Sequence, residues 1–159
     1  MLKPVSDDQI KFAEPWNVRM HPSLKQALDI IAIERNAAEY DLAFDAVHDV
    51  VNVFGEIDLA NRLFSEIPRT MHEELVADLF NLLAWQTDDN GSAMTREIET
   101  WLRESQDTRK ITIALSLDVY PFSDAHEMYQ VLSKIAGATP EFADRCQALI
   151  TSRKASPQG

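Results

Sequence analysis

The chain has 159 residues, of which 45% are apolar and 26% charged, and its 26 acidic and 15 basic side chains leave a net charge of −11. That balance belongs to one folded domain with a real core and excludes a disordered chain. The negative excess opposes non-specific binding to nucleic acid, because an acidic surface repels phosphates.

Helix signals follow one another along the chain, and glycine is scarce, with only four residues. Ser6 with Gln9 forms a capping pattern between Pro4 and Pro15, and residues 16–20 read as an extended segment. Ser23 with Gln26 then precedes Leu24, Ala27, Leu28 and Ile31 at helical spacing, with a bend expected near Arg35 and Asn36. In the next segment Asp41, Asp45, His48, Asp49 and Asn52 fall on one arc of a helical wheel. Leu42, Ala46, Val47, Val50, Val51 and Phe54 take the remainder, and Gly55 stands where a helix stops.

A short helix is expected over 58–67. Thr70 with Glu73 reads as the cap of a helix that is apolar nearly all round from Leu75 to Trp85, the predicted central element. Residues 87–92 (Thr-Asp-Asp-Asn-Gly-Ser) are a loop, and Met94, Ile98, Trp101 and Leu102 mark the next helix. Residues 110–120 carry two patterns. Ile111, Ile113, Leu115, Leu117 and Val119 alternate as in a strand, while Ile111, Ala114, Leu115 and Asp118 fit a helix capped by Asp107. With no second strand to pair with, the helix is preferred. Ser123 and Thr139-Pro140-Glu141 start two further helices, the first closed by Gly137, and a disordered tail is expected over 153–159.

The lone Cys146 permits no disulfide within the chain, and its apolar neighbours Phe142, Leu149 and Ile150 predict a buried, inert thiol. No apolar leader opens the sequence and no run reaches the roughly 20 residues of a membrane span, so the cytoplasm is the expected compartment and no membrane is expected as partner. The expected fold is all-α: one domain over 1–152, with about seven to nine short amphipathic helices as helical hairpins or an irregular bundle.

From residue 58 onward the elements fall into pairs, 58–67 with 71–87, 93–104 with 108–119, and 123–136 with 140–152. The stretch from Trp101 to Leu115 resembles a HEAT-type repeat, whose inter-helix Asp, following Arg and Ala-Leu pair are matched by Asp107, Arg109, Ala114 and Leu115. The resemblance covers one repeat, residues 93–119, and implies an α-solenoid scaffold that binds another macromolecule along one face.

His48-Asp49 resembles the signature dyad of the HD-domain metal phosphohydrolases. That resemblance implies a divalent metal held by His21, His48, Asp49 and Asp118, with Arg19, Arg35 and Arg62 as the cations available to a phosphate.

Charge supplies the competing reading. Glu34, Glu39, Asp41, Asp45, Asp49, Glu56 and Asp58 face a single basic residue, Arg35, so residues 34–58 hold six of the eleven net negative charges. Concentrated charge of one sign steers a partner of the other. The sequence therefore predicts a non-catalytic module that uses this acidic face on a basic protein, such as an immunity (toxin-neutralising) or adaptor protein, and needs no cofactor. The metal phosphohydrolase is the alternative.

Overall fold

The computed structural model describes residues 20–35 and 41–155. Among them lie eight α-helices, two 3-10 turns and no strand. We number the helices α1 (Pro22–Glu34), α2 (Asp41–Phe54), α3 (Leu59–Glu66), α4 (Glu73–Leu83), α5 (Ser92–Glu104), α6 (Thr108–Leu115), α7 (Ala125–Ala138) and α8 (Ala143–Ala155). The patterns expected at residues 6–9 and 16–19 lie outside the described residues, as do Arg19, Glu39 and residues 156–159.

Helices α1 and α2 form an antiparallel hairpin, tied at both ends. At one end the His21 ring packs edge-on against Phe54, with centroids 5.8 Å apart. At the other the Glu34 carboxylate accepts the Ala43 N–H at 2.9 Å and so caps α2. The faces that meet are the periodic ones: Leu24, Ala27, Leu28 and Ile31 of α1 and Ala43, Ala46, Val47, Val50 and Phe54 of α2 are buried. Gly55 ends α2 at φ 77°, with its N–H on the Val51 carbonyl at 2.8 Å.

Helix α4 is the centre, as its pattern predicts. It packs on α1, α2 and α6 and buries Val76, Ala77, Leu79, Phe80, Leu82 and Leu83. A fully buried Leu or Phe of this kind contributes about 1.5–3 kcal/mol relative to an exposed one. The expected hairpins α5–α6 and α7–α8 form. The expected pairing of 58–67 with 71–87 does not dominate, because α3 lies closest to α5. Asn61 explains this: its N–H donates to Glu97 at 3.1 Å, and its side-chain oxygen accepts the Trp101 indole N–H at 2.7 Å.

Residues 110–120 resolve as a helix followed by a loop. The Asp107 carboxylate accepts the Arg109 and Lys110 N–H groups and nucleates α6. The helix stops at Leu115, whose carbonyl accepts the Arg145 guanidinium at 2.9 Å. The apparent alternation breaks there, since Ile111, Ile113 and Leu115 are buried but Val119 is exposed.

Several caps shift by one or two residues from their expected places. His21 rather than Ser23 caps α1 through Nδ1, His72 rather than Thr70 caps α4, and Asp124 rather than Ser123 caps α7. Two ends also move. Gly137 lies inside α7, which closes at Thr139, and α8 continues to Ala155, past the start of the expected tail. The cause is Arg153, whose guanidinium donates to the Phe122 and Ser123 carbonyls at 2.7 and 2.8 Å and holds the end of α8 on the loop before α7. Cys146 is fully buried, and burial pushes its thiol up, as an inert core cysteine requires.

Candidate functional site

The acidic segment divides into carboxylates that hold the fold and carboxylates that face water. Glu34 is committed to the N-terminus of α2. Glu56 accepts the Asp88 N–H through both oxygens, at 3.0 and 3.2 Å, and so anchors the 87–92 loop to the end of α2. Asp58 sits in the left-handed region at φ 57° and accepts the Asn61 side-chain amide at 2.8 Å. Asp41, Asp45 and Asp49 are different. All three are exposed on α2, and none forms a hydrogen bond or ion pair among the described residues.

His48 and Asn52 are exposed on the same helix, as the wheel requires. Asp45 and Asp49 stand one turn apart with His48 between them. No Lys or Arg lies on α2 to neutralise them. The result is a row of ionised groups whose field runs into solvent.

The metal set does not assemble. Among the described residues no three His, Cys, Asp or Glu side chains are grouped so as to hold a metal ion. Helix geometry explains why His21, His48, Asp49 and Asp118 stay apart. His21 sits beside Phe54, six residues or about 9 Å along the α2 axis from His48. Its Nδ1 already accepts the Ser23 N–H at 3.1 Å.

Asp118 belongs to the other end of α1. It lies near Asp78, which pairs with Arg35 at 3.1 Å, and α1 is 13 residues, about 20 Å, long. The other cations named for a phosphate are also engaged: Arg35 additionally pairs with Glu74 at 3.3 Å, and Arg62 donates to the Phe54 carbonyl. Burial, with help from the neighbouring Asp118 and Glu74 charges and against Arg35, pushes the Asp78 carboxyl up. That is the behaviour of a half-buried acid at a helix packing edge.

The residues that match the HEAT-type pattern have structural work. Arg109 is 8% exposed, and its guanidinium donates to Glu73 at 2.8 Å and to the Pro68 carbonyl at 3.1 Å. It clamps α6 to the turn before α4.

One surface feature has no counterpart in the helical periodicity. Trp85, expected to close the buried run of α4, is 73% exposed. The chain leaves the α-helix at Leu83 and turns through a 3-10 segment, Ala84–Gln86, which swings the indole outward. Together with Met94, Ile98, Leu117 and Val119 it borders a groove of about 410 Å³ between α4, α5 and the loop after α6.

The chain matches no protein-family model, no curated protein and no solved structure. Among the described residues no helix is long and apolar enough to cross a membrane.

Proposed function

We propose that this protein is a non-catalytic interaction module whose α2 face binds a basic protein, in the manner of an immunity or adaptor protein. One observation carries the reading: Asp41, Asp45 and Asp49 are exposed, unpaired among the described residues and uncountered by any cation on their own helix. Ionised side chains with internal partners, such as Glu34 and Glu56, are explained by folding. These three are not, and a row of unpaired carboxylates raises the encounter rate of a cationic partner.

The test is association of the full chain with the tagged product of its adjacent reading frame, at low and at physiological salt. Association is expected at low salt, with an on-rate that falls about tenfold or more as salt screens the face. The Asp45→Asn/Asp49→Asn variant should lose most of that salt dependence while folding normally. Absence of association at low salt would overturn the assignment.

A further inference from the structure

The α2 face supplies charge and two exposed apolar side chains, Leu42 and Val53, but no pocket, and a stable complex draws most of its affinity from a few large apolar contacts in a desolvated pocket. Such a pocket lies next to it. Trp85 exposes most of its indole, and its N–H makes no hydrogen bond among the described residues. The groove it borders has a mostly apolar floor, including Phe80, Met94 and Leu117, and Val119 stands exposed on the opposite bank. Among the described residues Asp118 is the only charged side chain lining the groove, and no Lys or Arg does.

The groove is also tied to the acidic helix. Glu56, at the end of α2, holds the Asp88 N–H at 3.0 Å, and Asp88 is exposed three residues after Trp85. Ile57, beside Glu56, is 85% exposed. The Ala84–Gln86 turn that carries Trp85 itself packs on α2.

The geometry points to this groove as the seat of one large apolar side chain, Phe or Leu, carried by a basic segment of the partner whose Lys or Arg residues flank it. Charge selects that occupant. Asp118 in the groove and the exposed Asp88, three residues after Trp85, repel an acidic segment and attract cationic flanks. Trp85 is the anchor because an exposed, rigid indole buries much area at little entropic cost. This inference rests on the reading of α2 as the face for a basic protein and adds to it the apolar half of the site.

Two lysine-rich synthetic peptides, identical except for a central Phe in one and Ala in the other, serve as probes of the full chain at low salt. The Phe peptide is expected to bind about tenfold or more tightly than the Ala peptide and to shift to the blue the part of the tryptophan emission that Trp85→Ala removes. In Trp85→Ala that advantage should vanish while the weak, salt-sensitive affinity for both peptides remains. Trp85 buries little, so this variant should keep its helical content and melting temperature. Val119→Ser provides a second, independent reading from the other bank and should weaken only the Phe peptide.

Equal binding of the two peptides, with no effect of Trp85→Ala, overturns the groove but leaves the α2 face standing. No binding of either peptide at low salt overturns both. Resistance of Trp85 to aqueous quenchers in the free monomer would mean that the chain fills its own groove. Dimerisation abolished by Trp85→Ala would mean that a second copy fills it. Either result also overturns the inference.

Discussion

The two ends of this molecule use charge in opposite ways. Residues 34–58 hold seven acidic side chains against one basic, whereas residues 92–155 hold nine acidic and eight basic. In the second region three arginines are tied into the fold. Arg145 closes α6, Arg153 holds the loop before α7, and Arg109 reaches back to Glu73 and Pro68. On α2 no charge is turned inward. Those three arginines therefore serve folding and should be expensive to remove, while charge on α2 should be nearly free to remove from the standpoint of stability.

The largest expected effect tests the first half of that contrast. Arg109→Ala leaves the Glu73 carboxylate and the Pro68 carbonyl without their partner, and denaturant titration should register a loss of about 3–5 kcal/mol. The contrasting Asp45→Asn/Asp49→Asn variant should lie within about 0.5 kcal/mol of the parent in the same titration, which is the range of ordinary surface changes. Equal losses at the two sites would erase the distinction between them.

A smaller loss is expected at the other end of the C-terminal half. Phe122 sits at φ 65°, unfavourable for an aromatic residue. It is held there by Glu99, which accepts its N–H at 2.7 Å, and by Arg153 on its carbonyl. Arg153→Ala should cost about 1.5–3 kcal/mol, the value of a charged hydrogen bond. Hydrogen exchange should quicken first at the start of α7 and the end of α8.

The smallest effect concerns pH. Burial, reinforced by the Asp58 charge and opposed by the Asn61 N–H, pushes the Glu97 carboxyl up. A carboxyl raised in the folded state binds its proton more tightly there than when unfolded. Its contribution is fully present below the ordinary carboxylate value and is lost as pH rises through the raised one. Glu97→Gln keeps an acceptor for the Asn61 N–H and removes that loss, so its melting temperature should fall less than the parent's as pH rises through this range.

Much of the helical framework was legible because burial imposes its period on the chain. The faces of α1, α2, α4 and α5 follow from Leu24 through Ile31, Ala46 through Phe54, Val76 through Leu83, and Met94 through Leu102, except that Leu42, expected on the apolar side of α2, is exposed and Ala43 is buried in its place. Helix ends were less legible, since a cap is decided by whichever neighbouring side chain reaches the free N–H groups first. His21 and His72 displaced the expected Ser23 and Thr70. The helix Thr108–Leu115 is legible because Asp107 acts locally, but its stop at Leu115 involves Arg145, thirty residues away.

The acidic stripe was visible as a pattern. Which of its members were already committed was not, because the Glu34, Glu56 and Asp58 contacts are tertiary or lie in loops. Trp85 was the clearest miss. The signal available was its position just before the Thr-Asp-Asp-Asn-Gly-Ser loop, where a helix must end and a last aromatic residue can swing out of register.

That loop is itself a rigid clasp. Gly91, at φ 80°, donates its N–H to the Thr87 hydroxyl at 2.6 Å, and Asp89 accepts the Ala93 N–H at 2.9 Å, a bond that helps hold its carboxyl below the ordinary value. A Cβ at position 91 would stand 2.7 Å from the Ala84 side chain, so only glycine allows the start of α5 to press against the turn that carries Trp85. The indole is thus presented on a mount stiffened during folding. Much of the ordering that a loop-borne aromatic residue would otherwise undergo on meeting a partner has already taken place.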